Sequence, residues 1–169
     1  GWLMKRLLTT LVILTGLFGS AGAGWADAED DFYKGYKAYQ AGDYAEAVKW
    51  YRKAAEQGHA WAQNNLGVMY RDGEGVTQDY AEAVKWYRKS AEQGDADAQN
   101  NLGAMYHSGN GVLQDTIAAH MWFNIAILNG DADAADNRDI IASKLSSADI
   151  VEAQKRAKRC MASGYKDCD

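Results

Sequence analysis

Proline is absent from this chain, and cysteine and histidine are scarce, with two and three copies. A chain without proline suits long uninterrupted helices, because no residue lacks the backbone N–H that a helix uses. Basic residues are not in excess either. The formal net charge is −5 over 169 residues, so the basic patch that nucleic-acid binding requires is missing, and no nucleic-acid partner is expected. The basic cluster Lys155, Arg156, Lys158, Arg159 and the acidic run Glu29-Asp30-Asp31 read as solvated faces.

The motifs of common chemistries are missing as well. His59, His107 and His120 form no H-E-x-x-H, and no C-x-x-C, G-x-S-x-G, Walker loop or dinucleotide fingerprint occurs. Gly73-Glu74-Gly75 is too short to cradle a phosphate. No catalytic residue, metal or cofactor is therefore expected. Glu46, Glu56, Glu82 and Glu92 recur with a fixed period. A catalytic carboxylate pair has to be singular, with environments that split its pKa values. Glu46 before Lys49 and Glu82 before Lys85 have helix-neighbour spacing instead, which makes surface pairs of about 0.2–0.5 kcal/mol. His59 and His107 stand where the other copy of the repeat has Asp95 or Arg71, so both are expected at the surface.

The one long apolar run is at the N-terminus. Lys5 and Arg6 precede an apolar stretch from Leu7 to Phe18, and small residues follow with two A-x-A sites, Ala21-Gly22-Ala23 and Ala26-Asp27-Ala28. This is the layout of a secretory signal peptide over residues 1–28, cleaved after Ala23 or Ala28. Met4 is the expected natural start. The alternative is an uncleaved anchor, the only membrane contact the sequence offers. No cysteine follows the apolar run, so a bacterial lipid anchor is not expected. Periplasmic or secreted location follows, and it gives Cys160 and Cys168 a role: an even count in an oxidising compartment reads as a disulfide closing the tail, residues 163–169.

The abundant signal is repetition. Residues 43–78 laid over 79–114 match at 28 of 36 positions. A weaker third copy begins at Asp115, where Trp122 keeps the phase of Trp50 and Trp86, Phe123 replaces Tyr51 and Tyr87, and Gly130 matches Gly58 and Gly94. Fixed-period similarity marks a solenoid. Tyr44, Ala47, Val48, Tyr51, Ala54 and Ala55 recur at spacings of three and four, one apolar helical stripe between an N-cap Asp43 and Gly58. Ala62, Leu66, Met69 and Tyr70 make the stripe of a second helix. Mid-helix Gly67 costs about 1 kcal/mol against alanine, and close approach of a neighbouring helix is the physical reason to keep it. Val76 and Val112 are expected to plug the hairpin ends. Helices are expected near 29–41, 43–57, 59–72, 79–93, 95–108, 115–129, 131–144 and 146–162. A single hairpin cannot bury its apolar face, and stacking does so.

The pattern Ala62-Gln63-x-x-Leu66-Gly67-x-x-Tyr70-x-x-Gly73-x-Gly75-Val76-x-x-Asp79, then Ala83-x-x-Trp86-Tyr87-x-x-Ser90-Ala91-x-x-Gly94, resembles a Sel1-like repeat, a relative of tetratricopeptide repeats with a longer turn. The resemblance implies an all-α, right-handed superhelical solenoid of antiparallel helix pairs. The first hairpin would span 29–57, with repeats at about 59–94 and 95–130 and a cap at 131–162. The first unit departs from the pattern by a turn four residues shorter at Gly42-Asp43. The last departs through Asn137-Arg138-Asp139, with a capping-box-like Ser146 and Asp149 after it.

By the same resemblance the first helix of each hairpin lines a concave face. The residues expected there are Tyr36 and Tyr39 of the first unit, Trp61, Asn64, Asn65 and Arg71 of the next, and Asp97, Asn100, Asn101 and His107 after that. A row of amides offers donors and acceptors together and can hold an extended peptide. The alternative is that these asparagines bridge neighbouring hairpins. Trp61 faces Asp97 in the other copy, so packing does not demand it, and exposed aromatics anchor interfaces. Bacterial Sel1-like proteins are in many cases envelope or secreted adaptors. The resemblance therefore implies a non-catalytic scaffold with a protein or peptide partner. Two alternatives remain: a fixed subunit of an envelope complex, and a β-lactam-binding or β-lactam-hydrolysing enzyme like some cysteine-rich relatives. Those relatives carry a cysteine pair in each repeat; this chain has one terminal pair and no Ser-x-x-Lys.

Overall fold

The computed structural model describes residues 26–168, so the expected leader up to residue 25 lies outside the described residues. Eight helices follow one another: α1 (26–40), α2 (Tyr44–Glu56), α3 (Ala60–Asp72), α4 (Tyr80–Ala91), α5 (Ala96–Ser108), α6 (Thr116–Leu128), α7 (Ala134–Ala142) and α8 (Ser147–Ala162). All regular structure among the described residues is helical. The first helix already includes residue 26, three residues before the expected position, and Ala28 is 1% exposed. The second A-x-A site therefore falls inside a packed helix.

Local chemistry sets the boundaries. Asp43, Asp79 and Asp115 each accept the backbone N–H three residues on, at 3.1, 3.0 and 2.9 Å, satisfying donors the first turn leaves free. Ser146 and Asp149 close a full capping box at α8. Gly73 and Gly109 end α3 and α5 in the left-handed region.

The stack is held by two kinds of close approach. A Cβ placed on Gly67 would lie 2.7 Å from the Tyr87 ring, and Gly35 and Gly103 meet Tyr51 and Phe123 the same way at 2.6 and 2.8 Å. The aromatic ring of each second helix thus lies flush on the backbone of the first. In the turns, a Cβ on Gly75 would strike the Tyr44 carbonyl at 2.3 Å, and one on Gly111 the Tyr80 carbonyl at 2.2 Å. Each turn presses on the start of the preceding unit's second helix. Val76 and Val112 pack against the two apolar clusters beside these turns.

Polar side chains tie successive units together with the same period. Gln93 Nε2 donates to Gln63 Oε1 at 2.7 Å and Asn129 Nδ2 to Gln99 Oε1 at 2.9 Å, while Gln63 and Gln99 each donate to a carbonyl, Ala55 and Ala91, at 3.0 Å. In the first unit the partners are Gln57 and Asp31, at 3.0 Å. Their separation of 26 residues, against 30 in the other two, reproduces the shorter first turn. Asp31 is 2% exposed. Burial pushes its carboxyl up, but the hydrogen bonds from Lys53 and Gln57 and the nearby Lys53 and Lys34 outweigh that and hold it below the usual range.

The tail is closed by the disulfide Cys160–Cys168, both half-cystines buried. Within it Tyr165 adopts φ 64° and lays its hydroxyl 2.9 Å from Asn129 Nδ2.

Candidate partner-binding face

The ten residues expected on the inner face fall into four groups. One group is a ladder between hairpins. Asn101 Nδ2 donates to Asn64 Oδ1 at 3.0 Å, and Asn137 Nδ2 donates to Asn100 Oδ1 at 3.0 Å, 37 residues apart in both cases. Asn101 Oδ1 also lies 3.4 Å from Arg71 Nη1. Asn64 is only 8% exposed. Of the two readings open for these asparagines, Asn64 takes the bridging one: its side chain is covered and bonded to the next hairpin, because its register meets Asn101 across the helix interface.

A second group lies at the edge where the first helices begin. Trp61 is 58% exposed. Beside it the His59 ring stacks on Phe32 at 4.6 Å, and the Trp61 ring centre is 6.1 Å from each of them. The surface position expected for His59 is corrected. It is 8% exposed because its Nδ1 accepts the Ala62 N–H that starts α3, while Nε2 lies 2.9 Å from Glu29. Asp97, the counterpart of Trp61, is exposed. Partial burial and the neighbouring Asp95, Asp131 and Asp133 raise its pKa. The same edge is thus aromatic in one unit and acidic in the next.

The third group makes a cleft of about 200 Å³ between α1 and α3, with Tyr36, Tyr39 and Asn65 on the rim and Tyr51, Val68 and Met69 below. Tyr36 and Tyr39 are 45% and 38% exposed, whereas Tyr51 and Tyr87 are almost fully covered. Gln40 Nε2 donates to the Tyr36 hydroxyl at 2.6 Å and holds that ring upright. Tyr39 packs at 5.3 Å against Tyr44, and Glu74 raises its pKa most, as a nearby charge, with smaller contributions from burial and from a Tyr39–Glu74 hydrogen bond. Tyr51 is pushed up to about 12 by burial, against a lowering hydrogen bond with Asn65.

Arg71 and His107 share one register at the far end of this face. Arg71 is locked to its neighbour Asp72 by two hydrogen bonds of 2.7 and 2.8 Å. That pairing raises the guanidinium pKa and lowers the carboxyl's. His107 Nδ1 is buried without a partner.

Tyr51, Met69 and Glu74 belong to this neighbourhood without having been expected in it. Glu74 had a signal: it is one of the eight positions at which the two near-identical copies differ, and so are Val68, Arg71 and Asp72. Tyr51 and Met69 had none, since their apolar stripe reads as core.

Among the described residues no three of His, Cys, Asp and Glu gather to hold a metal ion, and no described helix is long and apolar enough to cross a membrane. The fold is that of a superhelical helix-repeat protein.

The chain belongs to the Sel1 repeat family, whose model matches residues 32–59, 62–95 and 96–131. Among solved structures it is similar to c5321, a protective antigen of uropathogenic Escherichia coli with an SLR fold. The TM-score is 0.78 and identity 33%, over 82% of this chain and 32% of that one. It is also similar to a Sel1 repeat protein from Oxalobacter formigenes, with TM-score 0.63 and identity 35%, over 75% of this chain and 53% of that one. An exopolysaccharide production negative regulator of Rhizobium leguminosarum bv. viciae shares 53% identity over 49 residues, 29% of this chain and 18% of that protein. An uncharacterised protein of Neisseria meningitidis shares 57% over 37 residues, 22% of this chain and 8% of that protein. The chain spans less than a fifth of each of these two curated relatives.

Proposed function

We propose that this chain is an exported, non-catalytic adaptor that binds an extended segment of another protein along the concave face of α1, α3 and α5. The observation that carries the reading is the α1–α3 cleft. Tyr36 and Tyr39 stand exposed over an apolar floor, where a self-sufficient solenoid would present polar side chains. Exposed tyrosines with few rotatable bonds are good anchors for a partner. Export rests on the leader-like N-terminus and on a disulfide that suits an oxidising compartment. The similarity to a protective antigen and to a negative regulator of exopolysaccharide production fits surface or envelope work.

The test is capture from an envelope extract with three full-length baits of equal helical circular dichroism. These are the natural chain, Tyr36→Ala/Tyr39→Ala/Val68→Ala, and the outer-face variant Lys49→Ala/Lys85→Ala. A partner held by the first and third and lost by the second supports the reading. Equal capture by all three moves the interface off this face. Asn64 and Asn100 are left intact, because changing them would unlock neighbouring hairpins.

A further inference from the structure

Several aromatic rings of this protein already carry cations of the chain. Lys34, Lys49 and Lys53 stand 4.6, 5.1 and 5.2 Å from the Trp50 ring, Lys89 stands 4.4 Å from Trp86, Arg52 stands 5.9 Å from Tyr70 and Arg88 stands 5.9 Å from Tyr106. Over Tyr36 and Tyr39, in the α1–α3 cleft, none of the described lysines or arginines stands. The negative faces of these two rings are left open to a charge from elsewhere.

A carboxylate stands beside them. Glu74 belongs to the turn that presses on Tyr44, whose ring packs against Tyr39, and it acts on Tyr39 as a nearby charge; its Oε2 is buried with no hydrogen-bond partner. Asp72 also acts on Tyr39, but Arg71 holds it in a bidentate pair. No ion pair within the described residues includes Glu74. A buried carboxylate oxygen without a partner is costly, and a cation would satisfy it. In the next unit the two acids become Ser108 and Asn110, and the tyrosine registers hold Val68 and Arg71. The combination of rings and charge therefore belongs to this one cleft and is not part of the repeat. Its volume of about 200 Å³ is below the ~300–1,000 Å³ of cofactor-sized pockets, and it suits a single long side chain.

We propose that the α1–α3 cleft takes a lysine or arginine side chain of the bound segment, with the rings of Tyr36 and Tyr39 against its stem and charge and Glu74 as its counter-ion. This rests on the concave-face reading above and adds the chemistry of the ligand. Both parts of the pair are weak alone. Together, in a partly dry cleft, they discriminate by charge.

The test uses four pentapeptides, acetyl-Gly-Gly-X-Gly-Gly-amide with X as lysine, arginine, norleucine or glutamate. Each is titrated into the full chain, and binding is read from the backbone amide shifts. The lysine and arginine peptides should move the signals of residues 36, 39, 65, 68 and 74 saturably. They should bind roughly tenfold more tightly than the norleucine peptide, a factor that corresponds to ~1.4 kcal/mol. Glu74→Gln, which keeps the shape of the turn, should bring lysine and norleucine to within about twofold of each other, with Tyr39→Phe much closer to the natural chain. Norleucine binding as well as lysine, shifts that map elsewhere, or no saturable shift from any peptide would each overturn the proposal. The two readings separate in the capture assay. A partner lost by Tyr36→Ala/Tyr39→Ala/Val68→Ala but fully retained by Glu74→Gln leaves the concave face standing and removes the cationic side chain.

Discussion

Asn101 leaves the hydroxyl of Tyr87 without a partner. In the preceding unit the equivalent pair, Asn65 and Tyr51, is hydrogen-bonded. In this one Asn101 gives its amide to Asn64 and meets Arg71, and the Tyr87 hydroxyl is buried and unbonded. The third copy has Phe123 at this register and no hydroxyl to satisfy. A buried unpaired hydroxyl costs about 1–3 kcal/mol, and a satisfied one contributes about 0.5–1.5 kcal/mol. Tyr87→Phe should therefore leave stability unchanged or raise it by about 1 kcal/mol, whereas Tyr51→Phe should lower it by a similar amount. Urea unfolding of the two variants, with equal m-values, checks the opposite signs.

Alanine at Gly67 should be destabilising despite its better helix propensity. The propensity gain is about 1 kcal/mol. Against it, the new methyl would lie 2.7 Å from two atoms of the buried Tyr87 ring, and overpacking of that kind costs about 1–3 kcal/mol. Pairing Gly67→Ala with Tyr87→Ala should give a loss smaller than the sum of the two, since the clash disappears with the ring. A strictly additive cycle would mean that the two residues do not share the space assigned to them.

Acid should weaken the C-terminal half first through His120. The ring is 3% exposed, its Nδ1 lies 3.0 Å from the Asn124 amide, and burial lowers its pKa below the ordinary 6.5, with Arg138 adding to that and Asp139 opposing it. The folded state holds it neutral, so the unfolded chain takes the proton more readily. Stability is full above about pH 6.5 and falls as pH drops from there toward the lower folded pKa, by up to ~1.4 kcal/mol per pH unit for one proton. His120→Gln should flatten that part of the stability–pH curve. An unchanged slope would assign it to other groups.

Opening the tail should cost more than its length suggests. Cys160–Cys168 closes a loop of eight residues, for which chain entropy gives about 2–3 kcal/mol. Both sulfurs also pack into the larger apolar cluster with Tyr165 alongside. Cys160→Ala/Cys168→Ala should lower stability by more than that amount and make residues 163–168 sensitive to protease. Unchanged unfolding would confine the disulfide to a cosmetic role at the chain end.

The stack was legible because its rules are periodic. Asp at the start of α2, α4 and α6, glycine facing an aromatic ring, and Gly-x-Gly-Val in the two long turns repeat in the sequence at the spacing they have in space. The cleft was legible only in part. Tyr36 and Tyr39 are expected there because the resemblance puts the first helix of each hairpin on the concave face. Glu74 had its turn role already, and its contact with Tyr39 joins residues from different hairpins, which no local pattern encodes. The asparagines were ambiguous for a different reason. An amide that bonds a ligand and one that bonds the next hairpin recur with the same period, and only the Asn64–Asn101 and Asn100–Asn137 distances separate the two.

The most direct measurement places a photoreactive benzoylphenylalanine at Tyr36 in one chain and at Lys49 in another. Both are irradiated in an envelope extract and followed by covalent capture. The concave-face account predicts one crosslinked partner from position 36 and none from position 49. A partner joined at position 49 and absent at position 36 would contradict it.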